Sequence, residues 1–65
     1  MNGKVIRIEI NSGDKVPAGT PLLYIEAMKM ENPIKLDNDC VVQEIMVNKD
    51  DNVVAGQKLF VWQRP

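Results

Sequence analysis

Apolar and polar residues alternate with a period of two along much of this 65-residue chain. Isoleucines occupy every second position from 6 to 10, with charged residues between them, and the turn-forming sequence Asn-Ser-Gly-Asp follows at 11–14. This is the pattern of a half-buried β-strand that ends in a turn. Further strand-like segments rich in β-branched and apolar residues cover 22–25, 42–47 and 59–62. No stretch keeps a helical period beyond one turn, so the pattern predicts an all-β chain.

The chain contains an internal repeat. Residues 3–25 overlay residues 40–62 without a gap at an offset of 37, and eight of the 23 aligned positions are identical. Ordinary composition would give roughly one or two identities by chance. A fixed period of this kind indicates that one β unit is present twice.

Residues 26–39 join the two copies and have no counterpart inside the chain. Their strand-like part, Met30 to Leu36, would map by the same offset to positions before residue 1. The first copy is therefore expected to lack its leading strand, which leaves one sheet edge unpaired. Pro33 has no N–H to donate to a ladder, so its strand is expected at an edge or with this position facing outward.

Composition excludes several classes of function. Eight basic and nine acidic residues give a formal charge of −1, which argues against binding to nucleic acid or to an anionic membrane surface. No apolar run approaches the ~20 residues of a membrane span, and no signal-peptide pattern is present. The chain has no histidine and a single cysteine, Cys40, so histidine catalysis, an intrachain disulfide and a cysteine-rich zinc site are excluded. These absences argue against a self-contained enzyme and against a metal site.

The segment between the copies carries the candidate functional residue. A strand leads into residues 26–32 and another leaves them, which predicts a tight hairpin with Lys29 near its tip. Two-residue hairpins usually need glycine or asparagine there, because the tip requires positive φ, and neither is present. Departures from good turn chemistry tend to occur at functional sites. Met28 and Met30 flank the lysine with soft, adaptable side chains that suit a surface several partners must grip.

These residues carry a resemblance to a known family. Residues 26–32 (Glu-Ala-Met-Lys-Met-Glu-Asn) are similar to the Ala-Met-Lys-Met motif of the biotinyl domains, the biotin carboxyl carrier modules of biotin-dependent carboxylases and decarboxylases. The resemblance extends over nearly the whole chain. The other stretches that look like this family are Gly3-Lys4-Val5, Gly13-Asp14-Lys15-Val16, Ala18-Gly19, Pro21-Leu22-Leu23 and Ala55-Gly56.

The resemblance implies a flattened β-barrel, or barrel-sandwich hybrid, of two sheets related by a pseudo-two-fold axis. Residues 1–65 then form one biotinyl domain, built from repeats 3–25 and 40–62 joined by the 26–39 hairpin segment and lacking most of its first strand. By this symmetry Lys29 maps to position 66, just past the last residue. Both chain ends are therefore expected at the pole opposite the hairpin.

The resemblance also implies a function. In the family, a biotin protein ligase attaches biotin covalently to the lysine matching Lys29, and Glu26, Ala27, Met28 and Met30 match the motif around it. The chain would be a carrier without catalytic activity of its own, shuttling a carboxyl group between biotin carboxylase and carboxyltransferase domains or subunits. No nucleic-acid partner and no membrane insertion are expected. The implied location is the cytoplasm, or the mitochondrial matrix for a eukaryotic carboxylase.

Other interpretations stay open at this point. A lipoyl carrier shares this fold, but its lysine is typically preceded by aspartate, where this chain has Met28. A non-carrier adaptor of the same fold would keep the repeat without using Lys29. Met30 is as compatible with partial packing as with ligase recognition, and Glu26 and Glu31 as compatible with a solvated pair as with steering of a ligase.

Cys40 departs from the family pattern, which usually has glycine at this position, as the first copy does at Gly3. A free cysteine most often acts as a small buried hydrophobic side chain. The departure leaves the turn geometry at Asp39–Cys40 unsettled, and no catalytic role follows from it.

Overall fold

Seven β-strands and no helix make up residues 2–65, the part of the chain that the structure, a computed structural model, describes. The strands are β1 (Gly3–Ile8), β2 (Lys15–Val16), β3 (Leu23–Ala27), β4 (Met30–Ile34), β5 (Cys40–Ile45), β6 (Asn52–Val53) and β7 (Phe60–Gln63). One sheet has the order β4-β3-β1-β6 and the other the order β2-β5-β7. The all-β prediction is confirmed. The two sheets form a flattened sandwich and do not close into a continuous barrel.

The same ladder register occurs in both sheets. Val5 pairs with Ile25 between β1 and β3, and Val42 pairs with Trp62 between β5 and β7. All four positions follow the 37-residue offset. In each ladder a one-residue bulge comes directly after this pair. Bulges bend a strand and increase its twist, so both sheets curve at equivalent places.

Equivalent turns also have equivalent backbone conformations. Gly13 has φ 92° and its N–H donates to the carbonyl of Val42 over 2.7 Å, while Asp50 has φ 74° and donates to the carbonyl of Val5 over 2.7 Å. Aspartate is among the few side chains that adopt positive φ at low cost, which is why it can stand where the first copy has glycine. These bonds tie each turn of one copy to a strand of the other.

The core lies between the sheets, where alternate residues of each strand point inward. Two clusters of buried side chains form it, and the partly buried Ile8, Ile45 and Phe60 pack against both. The first cluster consists of Val5, Leu23, Ile25, Val47 and Val53. The second consists of Ile10, Val16, Leu22, Cys40 and Val42. Burial of these side chains supplies most of the stabilisation of so short a chain.

The two sheets differ by one strand. β4 forms the outer edge of the four-stranded sheet, and within residues 2–65 no strand occupies the equivalent place beside β7. This confirms the expected lack of a first strand in the described part of the chain. It also confirms the edge placement of Pro33, which is exposed on β4. The burial of equivalent side chains differs accordingly: Leu22 is fully buried, and its counterpart Leu59 is only half-buried.

Cys40 is the first residue of β5, pairs with Val16, and is 1% exposed. The open question about its backbone is therefore answered by an extended strand conformation with the side chain in the core. At the equivalent position in the first copy, Gly3, there is no space for a side chain. A Cβ there would collide with the side chain of Ile25 and stand 2.9 Å from the carbonyl oxygen of Glu26.

The expectation that both chain ends lie opposite the hairpin is wrong for one of them. Pro65 shares a groove with Asp39 and Cys40, at the end of the molecule to which β4 leads as it runs away from the hairpin. Asn2, however, shares a groove with Met28 at the hairpin end. The strand that would carry the chain across to the other pole is the one that residues 2–65 lack.

Candidate functional site

The candidate site is the apex of the β3–β4 hairpin. Ala27 and Met30 form the last cross-strand pair, which leaves Met28 and Lys29 as a two-residue loop. Their φ angles are 54° and 64°. Two consecutive positive φ values are characteristic of a type I′ turn, whose twist matches that of the flanking strands. The hairpin predicted from the sequence is present, and Lys29 lies at its tip.

This backbone conformation is unfavourable for both residues. A side chain with a Cβ in the left-handed region costs roughly 1–2 kcal/mol per residue. Five consecutive pairs between β3 and β4 hold the strands in register and so impose the turn on the sequence that closes it. Strain of this kind persists only where the surrounding structure enforces it, and it is concentrated at functional sites.

The lysine and its neighbours are open to solvent. Met28 is 92% exposed, Met30 is 66% exposed, and Lys29 is also exposed. The ion pairs within residues 2–65 join Lys4 to Asp50 and Arg7 to Glu9, and neither involves Lys29. The apex therefore presents a primary amine between two apolar side chains that a larger protein could cover.

Asn32 supports the hairpin from below, a role that the sequence did not reveal. Its side-chain amide donates to the carbonyl of Met30 over 3.1 Å and to the carbonyl of Ile25 over 3.3 Å. One amide group thus connects both strands next to the turn. The only sign of this arrangement in the sequence is an asparagine close to the tip. The sequence does not indicate which carbonyl groups its side chain contacts.

Two glutamates face each other below the turn. Glu26 on β3 pairs with Glu31 on β4, and both side chains are exposed. Like charges directly opposite on neighbouring strands are destabilising, since the carboxylates repel each other. The hairpin therefore combines an acidic stem with an apolar tip around Lys29.

A groove of about 400 Å³ adjoins the hairpin. Its lining comprises Asn2, Gly3, Lys4, Glu26, Ala27, Met28, Asn52, Val53 and Val54. Sequence reasoning missed this groove, because it is formed by segments far apart in the chain. A larger depression of about 530 Å³ lies away from the hairpin, where Arg7 stacks on the ring of Tyr24 at 4.2 Å.

Within residues 2–65, no group of three or more His, Cys, Asp or Glu side chains could hold a metal ion. No helix of sufficient length and apolar character to cross a membrane occurs in this range.

Comparison with known proteins gives a consistent result. Residues 1–62 match the profile of a family described as "Biotin-requiring enzyme". The chain is 35% identical over 60 residues to the biotin carboxyl carrier protein of acetyl-CoA carboxylase from Solanum lycopersicum, a match that covers 92% of this chain and 86% of that protein. It is 39% identical over 60 residues to pyruvate carboxylase from Staphylococcus aureus, covering 92% of this chain and 5% of that protein.

A solved structure extends the comparison to the fold. The lipoyl domain of the 2-oxoglutarate dehydrogenase complex from Azotobacter vinelandii superimposes with a TM-score of 0.84, covering 97% of this chain and 80% of that one, at 25% identity. The chain therefore belongs to the family of biotin- and lipoyl-type domains found in biotin-requiring enzymes. It spans less than a tenth of the length of the large carboxylases that it matches.

Proposed function

We propose that residues 1–65 form a biotin carboxyl carrier domain, with repeats 3–25 and 40–62 around the 26–39 segment, and that Lys29 bears the biotin in amide linkage. The observation that carries the proposal is the exposed lysine at a strained two-residue apex between two exposed methionines. Family membership and the carrier proteins among the relatives support it. The domain is a carrier and not an enzyme in itself.

The geometry of the apex fits a covalently attached cofactor. The side chain of Lys29 is exposed, and the residue before the turn is Ala27, which is buried and too small to project beside it. An acyl group of any length can therefore extend from the amine into solvent. When bound, biotin supplies a carboxyl-transfer chemistry that no side chain of this protein provides.

Attachment requires a second protein. The amine of Lys29 attacks the acyl carbon of biotinyl-adenylate, the bond to the phosphate oxygen breaks, AMP leaves, and the amine nitrogen gives up a proton. The chain has no histidine, so the base and the activated acyl group belong to a biotin protein ligase. Conversion of the amine to an amide removes one positive charge and changes the formal charge from −1 to −2.

Within the hairpin, we propose that a ligase contacts Glu26, Met28 and Met30 around the lysine, while the buried Ala27 leaves space beside it. The exposed methionines offer polarisable apolar contact without a fixed shape. The acidic stem is complementary to a basic surface on a partner. After loading, the same apex would enter the active sites of biotin carboxylase and carboxyltransferase domains, in the cytoplasm or the mitochondrial matrix.

The test is a modification assay read by intact mass. The 65-residue protein is incubated with a biotin protein ligase, biotin and ATP, and the expected product carries one biotinyl group. Lys29→Arg keeps the charge and is expected to abolish the addition. Lys35→Arg changes an exposed lysine beyond the far end of β4 and is expected to leave the addition unchanged. An unmodified protein in a ligase reaction that labels a control carrier would contradict the proposal. Addition by a lipoate ligase instead would assign the domain to lipoyl carriers.

A further inference from the structure

The hairpin apex carries two exposed thioether side chains beside Lys29. Methionine is among the residues most often found buried in folded proteins. Met28, however, is 92% exposed and Met30 is 66% exposed, which makes them the two most exposed large hydrophobic side chains within residues 2–65. Exposed apolar side chains that lie together at a candidate site indicate a surface with a function of its own.

The hairpin backbone keeps both side chains at the surface. Met28 has φ 54° and lies in the loop beyond the last cross-strand pair, so no neighbouring strand covers it. Met30 belongs to that last pair, on β4, which is the outer strand of its sheet. Small reagents in solution therefore have access to both thioethers in the folded protein.

The single thiol of the chain does not compete with these thioethers for an oxidant. Cys40 is 1% exposed, in the core. Burial and the carboxylate of Asp39 raise the pKa of its thiol, so the thiol remains protonated at neutral pH. The thiolate is the reactive form of cysteine. An oxidant that meets the folded protein therefore reacts at exposed methionines before it reacts at Cys40.

Met46 supplies a comparison within the same chain. It is 48% exposed, follows β5, and donates its N–H to the carbonyl of Leu59 over 2.8 Å. It does not line the groove beside the hairpin. A sulfoxide at Met46 therefore leaves the surface around Lys29 unchanged, and its lower exposure makes it a slower target than the two apex methionines.

Oxidation of the apex methionines changes the surface around the lysine without changing the amine itself. A methionine sulfoxide is polar and chiral, whereas the thioether is apolar and flexible. Its oxygen must lose bound water before it can enter an apolar contact, and this desolvation is unfavourable. Because Met28 and Met30 supply the apolar part of the apex, their oxidation removes the contact that a protein acting on Lys29 would cover.

We propose that Met28 and Met30 form a reversible oxidation site that controls the loading of Lys29, an inference that rests on the proposed carrier function. The oxidant is a hydroperoxide such as hydrogen peroxide. The thioether sulfur attacks one peroxide oxygen, the O–O bond breaks and an S–O bond forms. The transferred oxygen gives its proton to the departing hydroxide, which leaves as water. Sulfur is oxidised by two electrons and the peroxide is reduced by two.

The reverse step needs a reductant. A methionine sulfoxide reductase returns the sulfoxide to the thioether, while two thiols become a disulfide and the oxygen leaves as water. The exposed two-residue loop gives such an enzyme access to Met28, which is the more exposed of the two side chains. The modification is therefore a switch and not a permanent loss of the site.

The first measurement locates the added oxygen. The 65-residue protein is treated with hydrogen peroxide, and peptide mass spectrometry follows each methionine with time. We expect Met28 and Met30 to be oxidised faster than Met46, and Cys40 to stay unmodified while the protein is folded. Faster oxidation of Met46 than of either apex methionine would overturn the proposal.

The second measurement is the rate of loading by a biotin protein ligase with biotin and ATP. Oxidation is expected to raise the KM of the ligase for the protein about fivefold or more with little change in kcat, because the sulfoxides weaken binding and leave the amine intact. The rise must follow the fraction of protein oxidised at Met28 or Met30, and not the fraction oxidised at Met46. Treatment with methionine sulfoxide reductases is expected to restore the original KM.

Two variants assign the effect, each compared with its own untreated sample. Met46→Leu is expected to respond to peroxide like the parent protein. The double variant Met28→Leu, Met30→Leu retains Met1 and Met46, and its KM is expected to be the same before and after peroxide. A response that persists in the double variant, or an oxidised parent with unchanged KM, would overturn this inference and leave the proposed function standing. An untreated parent that accepts no biotin would overturn both.

Discussion

At Met28 and Lys29 the protein keeps a backbone conformation that neither side chain prefers. Glycine or asparagine would remove the strain, yet the chain has methionine and lysine at both positive-φ places. The strained turn lowers the stability of the fold, and neither side chain compensates by packing in the core, because both face solvent. The arrangement is understandable if both side chains are needed by a partner, as the proposed ligase would need them.

The strain at Met28 can be measured by replacing the residue with glycine. Relief of about 1–2 kcal/mol of left-handed strain exceeds the entropic cost of glycine, about 0.5–1 kcal/mol, so Met28→Gly is expected to raise the free energy of unfolding by up to about 1 kcal/mol. Met46 is also partly exposed but has no positive φ, and Met46→Gly is expected to lower the free energy of unfolding by about 0.5–1 kcal/mol. Urea denaturation of the three proteins checks both signs. A loss of stability in both variants would contradict the strain.

Cys40 gives the protein a pH dependence above neutrality. Burial raises the pKa of this thiol, and the neighbouring carboxylate of Asp39 raises it further. The folded state thus holds its thiol proton more tightly than the unfolded chain does. The resulting stabilisation is fully present below the ordinary thiol pKa and is lost as the pH rises through the raised folded value.

The expected result is a free energy of unfolding that declines as the pH rises above about 8.5, with a slope of at most about 1.4 kcal/mol per pH unit from this group. The measurement is the difference in the free energy of unfolding between the parent protein and Cys40→Ala at pH 7, 8.5 and 9.5, which isolates the contribution of this thiol. This difference is expected to shrink with rising pH. If the difference in the free energy of unfolding stayed constant across the three pH values, ionisation of the buried thiol would not be the cause of the pH dependence.

At the scale of elements, two equivalent leucines differ in burial because β7 has one neighbouring strand within residues 2–65 and β3 has two. Leu22 is covered by the segment that continues β4, while Leu59 borders an open groove. Leu22→Ala is expected to lower the free energy of unfolding by about 2–5 kcal/mol, the usual cost of a fully buried leucine. Leu59→Ala is expected to cost about 1 kcal/mol or less, because its side chain loses less contact.

Thermal and urea unfolding of both variants measures this contrast. The two substitutions remove the same atoms from positions related by the repeat, so each is the matched control for the other. Equal losses of stability would mean that the β7 edge is covered in solution.

At the scale of the whole molecule, the sequence predicted the strands and the repeat but not the contacts between segments. Alternating isoleucines define β1, and the 37-residue offset carries the same assignment to β5. The strand expected from Met30 to Leu36 ends at Ile34, which forms the last pair of the ladder between β3 and β4. The position of Lys29 at a hairpin tip follows from two adjoining strands and a short connection.

The support around Lys29 could not be predicted in the same way. The hydrogen bonds from Asn32 join two strands. The groove beside Met28 is lined in part by residues 52–54, which are distant in the sequence. Such contacts depend on how the sheets are placed in space, and no local pattern encodes them. The N-terminal end was predicted wrongly for a different reason. The offset of 37 relates Asn2 to Asp39, which lies beside Pro65, and the symmetry therefore places Asn2 beside the hairpin.

The placement of Pro65 at the pole away from Lys29 has a mechanical consequence. The domain is 33 Å long and 19 Å wide in the other two directions. A pivot at the C-terminal pole would make the β-sandwich a lever arm, so that a rotation of about one radian there sweeps the lysine through an arc comparable with the domain's own length. The reach of a group on Lys29 would then be set by the stiffness of the sandwich as much as by the flexible lysine side chain.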